Sequence, residues 1–267
     1  MNVTVLCDAV AVFPEKVEDA LPGWCAAHQR WTEEHLPGNV AATGGWSLHF
    51  HSYLVTDQSS AVLVDTGVGP AGGEAARWLG TSGRLPDLLA AAGVDAGEID
   101  TVVLTHIHLD HVGWNLAADV PRFNNATYVV QATEVEHARG SATYEKLILP
   151  IVKSEQLRTV SGEVSMGTIR LLPTPGHTPG HQCVVTPSAV LGGDVFVHPA
   201  QARWPELRYV YEQEPSVAVT SRHEILLLAA SLGIPIAAAH PHTALDASGI
   251  PVRAVTNART TCPPHRL

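Results

Sequence analysis

Short apolar runs, each bounded by glycine, proline, asparagine or aspartate, recur along the chain from residue 46 onward. Runs of this length with such boundaries are typical of β-strands. The predicted strands are 46–55, 61–67, 100–106, 126–131, 168–174, 181–186, 189–194 and 234–240.

Segments with helical character lie between these runs. The predicted helices are 71–79, 84–93, 132–139, 143–153 and 215–232. Gly233 follows the last helix, where a left-handed C-terminal cap is expected. Because no change of composition marks a linker, the pattern predicts one α/β domain over residues 1–267, with two packed sheets and helices outside.

The first part of the chain is the least regular. Residues 10–45 contain Pro14, Pro22, Pro37 and the pair Gly44-Gly45. We expect residues 1–45 to form an N-terminal arm that contributes to a pocket or to a dimer.

The composition and charge of the chain mainly exclude classes of partner. The 267 residues carry 16 Lys plus Arg and 26 Asp plus Glu, for a formal charge of −10. This charge opposes attraction to phosphate backbones and anionic lipid. No apolar run approaches the roughly 20 residues of a membrane-spanning helix, and the first residues lack the pattern of a secretory signal. We therefore predict a cytoplasmic protein without nucleic-acid or membrane partners.

One short stretch concentrates ligand-type side chains. The sequence VVLTHIHLDHVG, residues 102–113, places His106, His108, Asp110 and His111 directly after an apolar run. In a turn at a strand end, such side chains can converge on one point. Imidazole and carboxylate are ligands of zinc, manganese and iron, so the stretch is a candidate metal site.

Three further side chains of the same types also follow predicted strands. His177 lies in TPGHTPGHQ, Asp194 in LGGDVF and His240 in AAAHPH. A polar turn with solvated histidines would be the ordinary interpretation of any one of them. Their shared position after strands instead predicts that they meet at one edge of the sheets.

These motifs, together with the upstream VDTG, resemble those of metallo-β-lactamase-fold hydrolases over residues 46–242. The resemblance implies an αββα sandwich of two mixed β-sheets, with a centre of two divalent metal ions in a cleft at one edge. Zinc is the favoured metal, and manganese, cobalt and iron are alternatives. The ligands that the resemblance implies are His106, His108 and His177 for one metal, Asp110, His111 and His240 for the other, and Asp194 between the two.

The resemblance also implies a reaction. A water between two cations can lose a proton near neutral pH, and the resulting hydroxide would attack a carbonyl or phosphoryl centre. The predicted catalytic carboxylates are Asp194, which bridges the metals, and Asp110, which would protonate the leaving group. Asp65 of VDTG is expected to orient a ligand imidazole, and a turn-forming aspartate is its other interpretation.

The segments GDVFVHPAQ and AHPH most resemble the lactonase and organophosphate-hydrolase-like branch. Acyl-homoserine lactonases carry a substrate-contacting tyrosine a few residues after the bridging aspartate, whereas residues 195–198 here are Val, Phe, Val and His. Alternative donors are His198, Tyr209 and Tyr211, each also interpretable as a packing residue. The predicted pocket or ligand-supporting residues are Asp65, Trp114, Phe196, His198 and His242.

The leading hypothesis is hydrolysis of a lactone or carboxylic ester. Thioester hydrolysis of the glyoxalase II type and phosphotriester hydrolysis are alternatives from the same chemistry. An iron-dependent redox enzyme on this fold and a noncatalytic binding module are hypotheses of other classes. The predicted partner is a small-molecule substrate, and a homodimer is an open alternative.

Overall fold

The computed structural model describes residues 1–252. A six-stranded sheet has the order β1-β2-β3-β4-β7-β8, a five-stranded sheet has the order β13-β12-β11-β10-β9, and β5 and β6 form a small hairpin. The strands are β1 (Asn2–Val12), β2 (Ser47–Thr56), β3 (Ala61–Val64), β4 (Thr101–Val103), β5 (Leu116–Ala117), β6 (Val120–Pro121), β7 (Thr127–Gln131), β8 (Leu157–Val160), β9 (Val164–Met166), β10 (Ile169–Pro173), β11 (Gln182–Val185), β12 (Val190–Leu191) and β13 (Ile236–Ala237).

Both large sheets are mixed. In the first, β1, β2 and β3 pair antiparallel, and β3, β4, β7 and β8 pair parallel. In the second, all pairs are antiparallel except β12 with β13. The sheets pack face to face through a buried cluster that includes Tyr53 and Val103 from one sheet and Leu171 and Val184 from the other.

Helices cover the outer faces. Leu85, Leu88 and Val135 pack on the first sheet, and Ile225 and Ala229 pack on the second. The helices are α1 (Val17–Ala20), α2 (Ala26–His35), α3 (Glu74–Leu79), α4 (Leu85–Ala91), α5 (Leu109–Val112), α6 (Ala132–Ala138), α7 (Leu149–Lys153), α8 (Ala200–Arg203) and α9 (Pro215–Leu232), with 3₁₀ turns at Pro37–Asn39 and Ala96–Glu98 and a π-helical turn at Tyr144–Ile148. The predicted layers of two mixed sheets flanked by helices are thus confirmed. In residues 1–252, no helix is long and apolar enough to span a bilayer.

The N-terminal segment contains a strand that the sequence analysis did not predict, over residues 2–12. They form β1, which pairs with β2 from Asn2 to Val12 with one irregularity between Cys7 and Ala9. Most of β1 is buried on both faces, so its sequence lacks the alternation of polar and apolar residues that marks a half-exposed strand. Residues 17–20 and 26–35 are helical.

The strand ends place the candidate ligands. The chain leaves β4 just before His106, and it leaves β10, β12 and β13 just before His177, Asp194 and His240. All four exits lie at one edge of the two-sheet sandwich, because His106, His177, Asp194 and His240 contact one another there.

Candidate metal centre and cavity

The first group of candidate ligands consists of three imidazoles and a carboxylate. His108 Nδ1 lies 3.0 Å from His106 Nε2 and 3.0 Å from His177 Nε2. Asp194 Oδ2 lies 3.2 Å from His177 Nε2. Since each neutral ring nitrogen either donates or accepts one hydrogen bond, His108 Nδ1 can form a full hydrogen bond with only one of these two neighbouring nitrogens.

The second group lies beside the first. Its members are Asp110, His111 and His240, whose candidate ligand atoms lie within 4.8 Å of one another. Asp110 Oδ2 is 3.7 Å from His111 Nε2 and 3.6 Å from His240 Nε2. Asp110 and His111 are brought to the centre by α5, which begins directly after His108.

The Asp194 carboxylate lies between the two groups. Its Oδ1 is 3.2 Å from His111 Nε2 and 3.1 Å from His240 Nε2. Its Oδ2 is 3.2 Å from His177 Nε2 and 3.8 Å from His106 Nε2. One carboxylate therefore faces both groups with different oxygens.

The donor set fits metal ions. Among the described residues, His111 Nε2 and Asp194 Oδ1 are buried without a partner of hydrogen-bond geometry. Leaving buried polar atoms unsatisfied costs about 1–3 kcal/mol each, and a divalent cation would satisfy both. Histidine nitrogens and carboxylate oxygens at such a point are the ligands that zinc takes in proteins.

The pKa values of the candidate ligands shift in different directions. Burial would raise the pKa of Asp194, but His240, His111 and His177 hold that pKa well below its usual value. Burial lowers the pKa values of His106 and His177 well below theirs, so these rings stay neutral and able to bind a cation. For His111 and His240, the effect of burial is outweighed by carboxylates, first by Asp194, and the pKa values are raised.

Asp65 fixes the ring of His111. Its Oδ2 accepts a hydrogen bond from His111 Nδ1 at 2.8 Å. The same carboxylate accepts from the Thr105 backbone N–H at 2.7 Å and the Thr105 hydroxyl at 2.8 Å. Since Nδ1 is occupied by Asp65, His111 presents Nε2 to the centre.

Two supporting residues escaped the sequence analysis. Glu134 on α6 accepts hydrogen bonds from the backbone N–H groups of Ile107, at 2.8 Å, and Gly180, at 3.1 Å. It thereby ties together the two loops that carry His106, His108 and His177. The Nε2 of His181 accepts from the Asp194 backbone N–H at 2.9 Å. The second histidine of TPGHTPGH was a signal for His181, whereas nothing around Glu134 indicated its contacts.

Two of the predicted pocket residues lie in the core instead. Trp114 donates its indole N–H to Asp8 at 3.1 Å and packs in the cluster on the outer face of the first sheet. Phe196 is fully buried against Cys183 and Ile225. Distance along the chain from a ligand did not indicate side-chain direction, because the chain turns tightly after both ligand motifs.

The remaining predicted pocket residues, His198 and His242, also lie away from the cavity. The ring of His198 is packed edge-on against Trp24 and Trp46, with centroids 4.8 and 4.9 Å away. The ring of His242 lies 4.9 Å from that of His49. Neither histidine is among the residues that line the cavity beside the candidate ligands.

An apolar cavity of about 580 Å³ opens onto the candidate ligands. Residues from segments without a clear sequence pattern form much of its wall. Its lining includes Phe13, Leu48, Trp78, Leu109, Val197, Tyr209 and Tyr211, together with His108, Asp110, His177, Asp194 and His240. Burial and the carboxylates of Asp194 and Asp110 raise the pKa of Tyr209 above its ordinary value.

The buried His198 predicts a pH dependence of stability. Burial, with a smaller effect of His28, lowers the pKa of His198 to about 3, whereas an unfolded histidine has a pKa of about 6.5. Below about pH 6.5 the unfolded state therefore binds a proton that the folded state rejects, and stability falls as pH falls, by about 1.4 kcal/mol per pH unit at most.

We expect His198→Asn to flatten the fall in free energy of unfolding between pH 6.5 and 4.5, measured by urea denaturation with chelator present. Asparagine can still accept from the Ala200 N–H, as His198 Nδ1 does at 3.1 Å, but does not titrate. His223→Asn is the control, because the His223 side chain is 50% exposed. An unchanged slope in His198→Asn would contradict the prediction.

The sequence profile of the metallo-beta-lactamase superfamily matches residues 51–244, well over half of the chain and the whole span of the candidate ligands. The chain belongs to this superfamily. The predicted family is thereby confirmed. Among solved structures, this member of the superfamily is similar to the hydrolase AbOPH of the beta lactamase superfamily, with a TM-score of 0.78, 24% identity and 94% of each chain covered.

Curated relatives point to the same branch of the superfamily. An N-acyl homoserine lactonase of Bacillus thuringiensis is 30% identical over 167 residues, which are 56% of this chain and 63% of the relative. The lactonase AttM of Agrobacterium fabrum is 34% identical over 107 residues, which are 36% of this chain and 39% of AttM. The alignments thus span less than two thirds of the relatives' length.

A further solved structure shares the fold. AidC, described as a dizinc quorum-quenching lactonase in complex with a product, aligns with a TM-score of 0.70 at 19% identity, over 89% of this chain and 86% of its own. At this identity the similarity demonstrates the common fold of the two chains.

Proposed function

We propose that this protein is a hydrolase that uses two divalent metal ions, with zinc favoured, to cleave a lactone or carboxylic ester. The observation that carries the proposal is the Asp194 carboxylate, whose two oxygens face two separate groups of histidine and aspartate at the floor of an apolar cavity.

Each of the two groups of residues would hold one metal ion. The first metal would be held by His106, His108 and His177. The second would be held by Asp110, His111 and His240, and Asp194 would contribute to both. Bound there, the ions would lower the pKa of a coordinated water and polarise the carbonyl of the substrate.

The protein's own groups would handle orientation and protons. Asp65, through His111, keeps a ligand nitrogen aimed at the centre. The Asp110 side chain is 14% exposed, against 5% for Asp194. Asp110 is therefore the carboxylate that can reach a leaving group in the cavity and pass it a proton.

The cavity favours substrates with an apolar portion. Phe13, Leu48, Trp78 and Leu109 all line it. Burial of such a portion contributes about 25 cal/mol per Å² of apolar surface. The names of the relatives support a lactone, since several are N-acyl homoserine lactonases. The absence of tyrosine at residues 195–198 leaves a wider range of lactones and esters within the proposal.

The test is proton release in weakly buffered solution. Chelator-treated protein is reconstituted separately with zinc, manganese or cobalt and mixed with aliphatic lactones, acyl-homoserine lactones, aryl esters, thioesters and phosphotriesters. We expect chelator-sensitive acid production with a lactone or an ester, restored by at least one metal.

Turnover confined to thioesters or phosphotriesters would replace the proposed substrate class while leaving metal-dependent hydrolysis in place. No turnover of any class by protein shown to contain two metal equivalents would overturn the proposed function. Oxygen consumption by iron-loaded protein would then test the redox alternative.

A further inference from the structure

Tyr209 stands in the wall of the cavity beside the candidate ligands. It is 6% exposed, and it lines the same space as His108, Asp110 and Asp194. Its ring lies nearly parallel to that of His177, at an interplanar angle of 15° and a centroid distance of 6.3 Å. The phenol is therefore part of the surface that a substrate at the centre would meet.

Neighbouring rings hold Tyr209 in place. The ring centroids of Phe13, Trp46 and Tyr211 lie 6.3, 6.1 and 5.3 Å from that of Tyr209. A side chain fixed by aromatic packing loses little further freedom when it forms a hydrogen bond. This is the property required of a preorganised donor.

The two tyrosines of this segment differ at their hydroxyl groups. The Tyr211 hydroxyl donates to the Glu15 carboxylate, and Tyr211 is 48% exposed. Within residues 1–252, the Tyr209 hydroxyl has no hydrogen-bond partner, and it is not sealed from solvent as the fully buried unpaired atoms are. Tyr209 therefore brings to the cavity lining a hydroxyl that no group within residues 1–252 engages.

The segment directly after Asp194 provides no side-chain donor that could take the place of Tyr209. The residues directly after Asp194 are Val195, Phe196 and Val197, and none of them carries a hydroxyl or N–H in its side chain. Phe13, Leu48 and Val197 make the neighbouring wall apolar. Tyr209 thus adds a neutral hydrogen-bond donor to a wall that is mainly apolar beside it.

We propose that the Tyr209 hydroxyl donates a hydrogen bond to the acyl oxygen of the bound substrate, and that this bond strengthens as the oxygen becomes negative in the transition state. The proposal rests on the proposed hydrolase function. Tyr209 keeps its proton throughout, so it stabilises charge and is not an acid in the reaction. A donor aimed at a developing oxyanion contributes on the order of 100-fold to turnover.

The experiment compares Tyr209→Phe with wild type. Tyr144→Phe is the matched control, because Tyr144 is also 6% exposed but packs in the core cluster on the first sheet and is not among the residues that line the cavity. For the metal-loaded enzyme with its best ester or lactone, we expect Tyr209→Phe to lower kcat on the order of 100-fold with little change in KM. Metal content and melting temperature should remain those of wild type. Tyr144→Phe should keep wild-type kcat.

Aryl esters with leaving groups of different pKa separate this role from its nearest alternative. A hydrogen bond to the acyl oxygen predicts the same fold loss in Tyr209→Phe across the series. A loss that grows as the leaving group becomes more basic would place the hydroxyl on the leaving-group oxygen and overturn the proposal. Wild-type kcat in Tyr209→Phe would also overturn it.

Binding of an alkyl phosphonate keeps this test distinct from the proposed function. Its tetrahedral anionic oxygens resemble the transition state, and its affinity for zinc-loaded protein can be measured by calorimetry without turnover. We expect Tyr209→Phe to bind it about tenfold more weakly, which corresponds to loss of one hydrogen bond to a charged group. Tyr144→Phe should bind it like wild type. Absence of turnover in wild type would overturn the proposed function alone. The role of Tyr209 would be overturned if Tyr209→Phe and wild type bound the phosphonate equally. It would also be overturned if wild type did not bind the phosphonate.

Discussion

Replacing Asp194 with alanine is expected to lower chelator-sensitive turnover on the order of 10³-fold or more. Changes to residues that merely orient a metal ligand already cost about 10- to 100-fold in affinity or activity. Asp194 reaches both groups of candidate ligands, within 3.3 Å of His177, His111 and His240. Its loss would remove a ligand from both metals and the negative charge that offsets them.

Two measurements check this prediction. Elemental analysis after dialysis should give fewer metal equivalents for Asp194→Ala than for wild type, and circular dichroism should give the wild-type spectrum. Asp119→Ala is the matched control, because Asp119 is an exposed aspartate outside the centre. We expect His106→Ala to behave like Asp194→Ala. Near-normal rates in Asp194→Ala protein that holds two metals would rule out a shared carboxylate.

The second large effect concerns stability. Glu212→Ala is expected to lower the free energy of unfolding by about 3–5 kcal/mol, because it leaves a buried guanidinium without its counter-ion. Arg222 forms an ion pair with Glu212, and each side chain is 1% exposed. Arg222 also donates to the Pro205 carbonyl at 2.7 Å. The pair thus joins α9 to the segment that carries Tyr209.

Urea denaturation of chelator-treated protein at pH 7 measures this effect. The double variant Glu212→Leu/Arg222→Leu should be less destabilised than Glu212→Ala, because no unpaired charge remains. Glu74→Ala is the control, since it breaks an exposed ion pair with Lys146 and should cost less than about 1 kcal/mol. A double variant that is less stable than Glu212→Ala would show that packing, and not the unpaired charge, dominates.

The candidate ligands could be found from the sequence for a definite reason. Side chains that directly follow strands in a two-sheet fold are brought to an edge by the backbone alone, so His106, His177, Asp194 and His240 needed only correct strand boundaries. All seven residues proposed for metal binding were named in this way or by the HIHLDH motif, and the structure brings the seven together. Their roles as ligands remain a proposal.

The cavity wall could not be found in the same way. Trp114 was predicted to face the pocket, yet it donates to Asp8, a buried carboxylate that also accepts from the Val68, Arg84 and Leu85 backbone N–H groups. Phe13, which does line the cavity, is far from the ligand motifs in sequence, and Tyr209 was named only as one of three alternative donors. Their placement depends on β1 and on the Glu212–Arg222 pair, and neither leaves a local pattern.

By itself, the sequence determined the family, the layered α/β fold and the set of imidazoles and carboxylates at one sheet edge, because strand periodicity and motif spacing are local properties of the chain. Only the tertiary structure decided the distances of that set from the two Asp194 oxygens, the hydrogen bonds of Glu134 and the place of Tyr209 in the cavity wall. These depend on contacts between residues far apart in sequence, such as Glu134 with Gly180 and Asp65 with His111, whose geometry arises only when both sheets and their loops have packed.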